Sequence, residues 1–344
     1  MKLVKPSTEI ISWEGKDPRE VTEQIGRVCY KSEDKITADS APKFVAKIIS
    51  RGHVAVLDHW NVIFRIDDLT ANRIEGFLSN PEWTTKYFRV TRVNGRNYAS
   101  ANVRTLLELM ENGPQILVNT FFPPCNGMWP DIFQFQTTQV EQVGTSRHEL
   151  VIIMSPDEIE NMSPCEREIH ETVSVRFVID RGVSHELVRH RPVAYCQEST
   201  RYCNYGKTGQ VTFVIPPWVN LPELVYGSQS HLQSIIGRDL FLDLTASESR
   251  WFWHMKECEA KYLELSAKGW SPQQARSVLP NSLKTEIVAT ANFRQWKHIF
   301  RLRCAKAAHP QMQEVMVPLR DAFQQQYFRI TYFRITYFTT MEPL

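Results

Sequence analysis

Arg189-His190-Arg191-Pro192-Val193-Ala194-Tyr195-Cys196-Gln197-Glu198-Ser199-Thr200-Arg201-Tyr202 is the stretch around which the chain is organised. Arginine presents a planar fork of N–H donors that matches phosphate and carboxylate oxygens in pairs. Three arginines with a histidine and a serine in fourteen residues suit an anionic, planar ligand better than a solvated surface. The run before it, Val173-Ser174-Val175-Arg176-Phe177-Val178-Ile179, alternates apolar and polar residues and predicts a strand with one buried face. Asp180-Arg181-Gly182 then reads as a turn, with Ser184 as N-cap of a short helix through His190. A strand and a helix therefore deliver a nucleotide or phosphate site.

Working outward, residues 1–66 read as α/β. Helical spacing covers Pro18 to Tyr30 and Ala41 to Ser50, the second stopped by Arg51-Gly52. His53 to His59 reads as a loop and Asn61 to Ile66 as a strand. Residues 67–171 are rich in turn signals such as Asn80-Pro81, Asn94-Gly95 and Asn112-Gly113-Pro114, and read as an insertion with its own small packed units. Within it, Asn102 to Met110 reads as a helix and Leu150 to Met154 as a short strand. Beyond the arginine stretch come a strand at Val211 to Ile215, a long amphipathic helix at Ser247 to Lys268, and a helix opened by Ser271-Pro272. Leu283 to Ala291 fits strand or helix. Gln295 to Arg303 and Pro310 to Phe323 read as helices. The tail, 326–344, repeats Tyr-Phe-Arg-Ile-Thr from Tyr327 and from Tyr332, a β-prone segment or a duplicated scrap.

Bulk properties narrow the classes. With 42% hydrophobic and 23% charged residues the chain is expected to fold throughout. A net charge of +2 gives no global field that demands nucleic acid, so an anion site must be local. No apolar run reaches membrane-spanning length, and Met1 to Pro6 lacks a signal-peptide core. Seven scattered cysteines without a C-x-x-C pair suggest a reduced, cytoplasmic protein with no disulfide frame and no metal.

Two tempting motifs fail. His185-Glu186-Leu187-Val188-Arg189-His190 resembles the zinc-protease pattern, but its histidines are five apart and do not share a helix face. Phe122-Pro123-Pro124-Cys125-Asn126 resembles the nucleophile segment of the cysteine-dependent thymidylate synthases. Asn126 stands where that family has histidine, and Cys125 reads instead as a cysteine in a proline-rich loop.

Arg189-His190-Arg191, seven residues, then Ser199 resembles the signature of the flavin-dependent thymidylate synthases. Ser184 to Val188 is similar to that family's lead-in, and Gln197 to Tyr202 to its exit. Ser271-Pro272-Gln273-Gln274-Ala275-Arg276-Ser277-Val278-Leu279-Pro280-Asn281 resembles a second block. A third comprises Asn292-Phe293-Arg294 and Phe300-Arg301-Leu302-Arg303. Arg51-Gly52-His53 with Asp58-His59 resembles the flavin-side histidine segment. The resemblance covers about 1–60 and 172–323.

The resemblance implies an α/β (α+β) fold with a central, mostly antiparallel sheet flanked by helices. It implies a catalytic domain formed by 1–66 and 172–325 with 67–171 inserted. The implied reaction is methylation of dUMP to dTMP, with FAD as cofactor and NADPH and 5,10-methylenetetrahydrofolate as co-substrates. Arg303 would activate the uracil ring, without a cysteine nucleophile. Glu186, Arg189, Gln197, Glu198, Ser199, Arg201, Arg276 and Arg303 match dUMP-binding positions. His53, Arg189, His190, Arg191, Gln197, Asn292, Arg294 and His298 match FAD-contacting ones. The family's homotetramers share these sites between subunits, and Arg276 would come from a neighbouring one. No metal, nucleic acid or membrane enters this picture. Glu186 replaces a glutamine common in the family, and an acid beside an anionic ligand is unfavourable unless a cation pairs with it. His59 fits either the flavin side or a satisfied core histidine. The alternatives are a related flavin enzyme that modifies a pyrimidine nucleotide differently, such as a hydroxymethylase, or an inactive nucleotide-binding homologue.

Overall fold

The computed structural model describes residues 1–79, 87–93, 95–133, 151–225 and 244–327. Among these, eleven strands form three sheets. The strands are β1 (Lys2–Val4), β2 (Ser7–Ile11), β3 (Asn61–Ile66), β4 (Arg89–Val93), β5 (Arg96–Asn102), β6 (Val151–Ile153), β7 (Thr172–Asp180), β8 (Ala194–Gln197), β9 (Thr212–Val214), β10 (Leu224–Val225) and β11 (Lys284–Asn292). The Tyr-Phe-Arg-Ile-Thr repeat lies almost wholly outside the described residues.

The central sheet runs β2-β7-β11-β8, and every neighbouring pair is antiparallel. The α/β expectation with a mostly antiparallel central sheet holds. β11 settles as a strand because it is buried on both faces. Ile287, Ala289 and Ala291 point into one core with Phe177 of β7 and Trp296 and Phe300 of the helix Phe293–Arg303. Val288 points the other way, against Val21, Ile25 and Val28 of the helix Pro18–Val28. Trp296 anchors the first core: its ring lies 6.4 Å from Phe177 and 5.7 Å from Phe300, and its Nε1 donates to the Val173 carbonyl at 3.0 Å. Truncating a buried aromatic of this kind typically costs about 3–5 kcal/mol.

A second sheet, β4-β5-β3-β6, is built mostly from the 67–171 segment. It takes in β3, which pairs with β5 and β6, so the expected boundary at residue 66 falls inside one sheet. Val45 and Ile48 of the helix Ser40–Ser50 join the same core. The third sheet, β10-β1-β9, packs with the helix Ala246–Ala267, whose Phe252, Met255 and Tyr262 are buried.

Local corrections follow from partners that lie outside the local window. Asp180, not Ser184, caps the helix Arg181–Leu187: its Oδ1 accepts from Val183 N at 2.7 Å. That helix stops at Leu187, short of His190. His53 is followed by a 3-10 turn over Val54–His59 and not by open loop. Cys125 lies in the helix Gln115–Met128, not in a proline-rich loop. Its Pro123 and Pro124 weaken the helical ladder, but Leu117, Val118, Phe121 and Cys125 bury one face and hold it. β8, inside the arginine stretch itself, was not foreseen.

Candidate active site

The arginine stretch is held at the edge of the central sheet by β8, which pairs Gln197 with Ile287 and Ala194 with Thr290 of β11. The site begins where the helix Arg181–Leu187 ends and the chain turns into β8. Arg303, last residue of the helix Phe293–Arg303, reaches this turn. Its Nε donates to His190 Nε2 at 2.8 Å, one terminal nitrogen to Glu186 Oε2 at 2.7 Å, and the other to the Glu186 carbonyl at 3.1 Å. The guanidinium plane is fixed by three acceptors. Two of its five N–H groups stay free for a ligand. The acid that replaces glutamine at position 186 thus has its cation.

His190 must accept at Nε2 and so carries its proton on Nδ1. Burial, with Arg303 and His298 nearby, pulls its pKa down to about 4, so it is neutral at pH 7. The His298 ring sits 6.2 Å away, edge to face, and His298 Nδ1 accepts from Arg301 at 3.1 Å.

The far end of the stretch is tied to the N-terminal segment. Ser199 N donates to the Cys29 carbonyl at 3.0 Å. The Arg201 guanidinium lies 5.4 Å above the Tyr202 ring, Tyr202 packs 5.2 Å from Tyr30, and the Tyr30 hydroxyl lies 3.3 Å from His53 Nδ1. His53 and Arg201 are therefore linked through two tyrosines. Arg276 donates to Thr200 Oγ1 at 3.0 Å, so this chain's own Arg276 stands beside Ser199 and Arg201.

Three expected site residues turn inward. Gln197 Nε2 donates to Ser184 Oγ at 2.9 Å and Thr285 Oγ1 at 3.2 Å. Glu198, 3% exposed, accepts from Lys284 at 2.9 Å and the Tyr205 hydroxyl at 3.1 Å. Asn292 caps the helix Phe293–Arg303 by accepting from Gln295 N at 2.9 Å, and donates to the Ile169 carbonyl at 2.7 Å. These residues brace the site. Below them lies a charge ladder that sequence reasoning missed: Glu286 of β11 takes Lys31 at 2.7 Å, Lys284 of its own strand, and Arg176 of β7. Lysine and glutamate at alternate positions of an otherwise apolar strand were its available signal.

Arg189 and Arg294 are exposed, and their side chains make no hydrogen bond or ion pair among the described residues. Arg191 donates only to the Val188 and His190 carbonyls, at 2.6 and 3.2 Å, and lies over the Tyr195 ring. Each of these three guanidiniums lacks an acid and could take a phosphate oxygen of a cofactor such as a flavin dinucleotide. Among the described residues no group of three His, Cys, Asp or Glu could hold a metal. His185 is exposed while His190 is buried against Arg303.

Cys125 is fully buried, and burial pushes its thiol pKa far up. A thiolate nucleophile is excluded there. Cys125→Ala should leave turnover unchanged within a factor of about two, with a modest stability loss of about 1 kcal/mol. A large fall in kcat at unchanged fold, read by circular dichroism, would restore the cysteine route.

His59 is a core histidine, with Nδ1 2.6 Å from Thr290 Oγ1, which in turn bonds Ser174 Oγ at 2.6 Å. Burial lowers its pKa to about 3, and that of His170 to about 4. A histidine whose folded pKa lies below its unfolded value contributes stability that is present above pH 6.5 and lost as pH falls. Each of His59, His170 and His190 is worth up to about 3 kcal/mol in this sense. Asp58, raised by burial to about 6, works oppositely, its contribution disappearing as pH rises through 6. The melting temperature should therefore drop from pH 7 to pH 5, and a flat profile would contradict the three neutral histidines.

Residues 160–327 match the family model described as thymidylate synthase complementing protein. A protein of Geobacter sulfurreducens named flavin-dependent thymidylate synthase is 32% identical over 161 residues, covering 46% of this chain and 60% of the relative. One of Corynebacterium efficiens with the same name is 26% identical over 227 residues, covering 61% of this chain and 84% of the relative. One of Pyrococcus furiosus, again so named, is 31% identical over 136 residues, covering 39% of this chain and 47% of the relative. The matches with the Geobacter and Pyrococcus proteins thus span about half of each relative. The family match takes in the arginine stretch, the Arg276 block and Arg303, so residues 160–327 are similar to the thymidylate synthase complementing proteins and to relatives named flavin-dependent thymidylate synthase.

Proposed function

We propose that the chain catalyses reductive methylation of dUMP to dTMP, with FAD bound at its arginine stretch and NADPH and 5,10-methylenetetrahydrofolate as co-substrates. The observation that carries this reading is Arg303, locked in plane by Glu186 and His190 with two donors left over. Ser199, Arg201 and Arg276 bind the nucleotide's phosphate, since they are polar or cationic groups gathered at one end of the stretch. The free donors of Arg303 bind O4 of the uracil, and N3 once its proton has passed to solvent. Negative charge that develops on these atoms is stabilised by the fixed cation, which makes C5 electron-rich without a covalent enzyme adduct. Neutral His190 keeps a second charge away from that cation.

Arg189, Arg191, Arg294, His53 and His298 hold the FAD. Bound there, the flavin supplies the hydride that reduces the transferred carbon. Glu198, Gln197 and Asn292 act behind these groups, as braces. Residues 1–66 and 172–325 form the catalytic unit, into which 67–171 is inserted. Working assembly is a cytoplasmic homotetramer. The described residues hold no helix long and apolar enough to cross a membrane.

The test is an absorbance spectrum of the purified chain after FAD loading, followed by dUMP titration. A flavin spectrum that shifts as dUMP is added supports the reading. A colourless protein that leaves free FAD unperturbed overturns it.

A further inference from the structure

A cavity of about 470 Å³ lies between β4 of the 67–171 segment and the helix Phe293–Arg303. Leu78, Phe88, Val90 and Ile169 give it an apolar wall, and Arg89 and Arg294 also line it. Neither guanidinium has a hydrogen bond or ion pair among the described residues. Arg89 is half-buried, so its charge is removed from water without compensation. Burial accordingly pulls its pKa below the ordinary arginine value.

The other polar groups on the wall already have partners. Glu75 is held by Arg92, at 2.9 and 3.1 Å. The Thr91 hydroxyl is 2.8 Å from His170 Nε2, and the Ser79 hydroxyl donates to the Glu75 carbonyl at 2.8 Å. His170 itself is neutral at pH 7, its pKa being lowered to about 4 by burial and by Arg89. Among the described residues, the unmatched charge of the cavity is therefore the two guanidiniums.

We propose that Arg89 and Arg294 form a two-arginine pocket that takes the anionic group, phosphate or carboxylate, of a small-molecule ligand. The FAD diphosphate and the glutamate carboxylates of the folate co-substrate both have this chemistry. The identity of the ligand rests on the proposed function, but the pocket rests on the cavity and its two unpaired cations. Arg89 comes from the inserted segment, which gives that segment a binding role.

The test compares the purified full chain with Arg89→Met, Arg89→Lys, Arg294→Met and the double Met variant. Methionine keeps most of the buried stem of the arginine and removes its charge. Equilibrium binding is measured separately for FAD and for tetrahydrofolate carrying one or three glutamates, with melting curves to show that each variant is folded. Arg89→Met should weaken one of these ligands by about 10- to 100-fold, the loss of a charge-assisted hydrogen bond. Arg89→Lys should recover much of the loss, and the double variant should bind less weakly than the two single losses multiplied. A loss confined to FAD assigns the diphosphate; one confined to folate, growing with glutamate number, assigns the carboxylates. A wild-type chain that binds no FAD would sink the proposed function, yet Arg89-dependent folate binding would still uphold the pocket. Folded Met variants that bind both ligands as the wild type does overturn it.

Discussion

Replacing Arg303 with alanine is expected to lower the rate of dTMP formation by about 100- to 1,000-fold, as removal of a preorganised donor to a developing negative charge does elsewhere. The structure says why the fall should appear in kcat more than in nucleotide affinity. Arg303 does not stand with Ser199, Arg201 and Arg276, which gather at the other end of the stretch. It is held by Glu186 and His190, so its plane is set before a ligand arrives. Lysine at this position keeps the charge but not the fork, and cannot satisfy three acceptors in one plane. Arg303→Lys should therefore recover only part of the rate. The stability change should be small, because the Glu186 side chain is 39% exposed and water can replace its partner. A kcat within threefold of wild type would remove Arg303 from the chemistry.

Glu286→Ala is expected to destabilise the fold by about 3–5 kcal/mol, the cost of breaking a buried ion pair from one side. Glu286 is 6% exposed and faces three cations, Lys31, Lys284 and Arg176. Burial alone would raise its pKa, but Lys284, Lys31 and Arg176 hold it down to about 2. Alanine would leave these three cations at the middle of the central sheet with only Glu198 for Lys284 and the part-exposed Glu33 for Lys31 and Arg176. Glutamine, which keeps the shape and two hydrogen-bonding groups, should lose less. A carboxylate with a depressed folded pKa contributes stability that is present above its unfolded pKa and lost as pH falls toward 2. Urea unfolding at pH 7 and pH 4 reads both effects. A loss under about 1 kcal/mol would mean that the ladder is not a stabilising element. The ladder also bears on the site, because Glu198 is next to Ser199 in the chain.

The parts of this molecule that were legible in the sequence are those whose signal is local. Val173 to Ile179 alternates, and β7 forms there. Ser271-Pro272 opens a helix as a cap and N1 proline should. The density of arginine around His190 singled out one stretch, and the structure gathers Arg303 at one end of it and Arg276 at the other. Residues whose role depends on a distant partner were not legible. Glu198 and Asn292 sit in the right blocks, yet Lys284, Tyr205 and the Ile169 carbonyl turn them inward. Asp180 outcompetes Ser184 as a cap because the helix starts four residues earlier than a Ser184 cap would place it. Cys125 was read as a loop residue from its two prolines, and tertiary packing of the face containing Phe121 and Leu117 prevailed over that local preference. Arg89, in the strand-like run Tyr87-Phe88-Arg89-Val90-Thr91-Arg92-Val93, carries no site signal of its own; the cavity it shares with Arg294 reveals it.

The most direct test of the central claim is mass analysis of the nucleotide formed when the FAD-loaded chain is given dUMP, 5,10-methylenetetrahydrofolate and NADPH. The account predicts dTMP, dependent on both flavin and NADPH and lost in Arg303→Ala. Unchanged dUMP, or a product carrying a hydroxymethyl group in place of a methyl group, would contradict it.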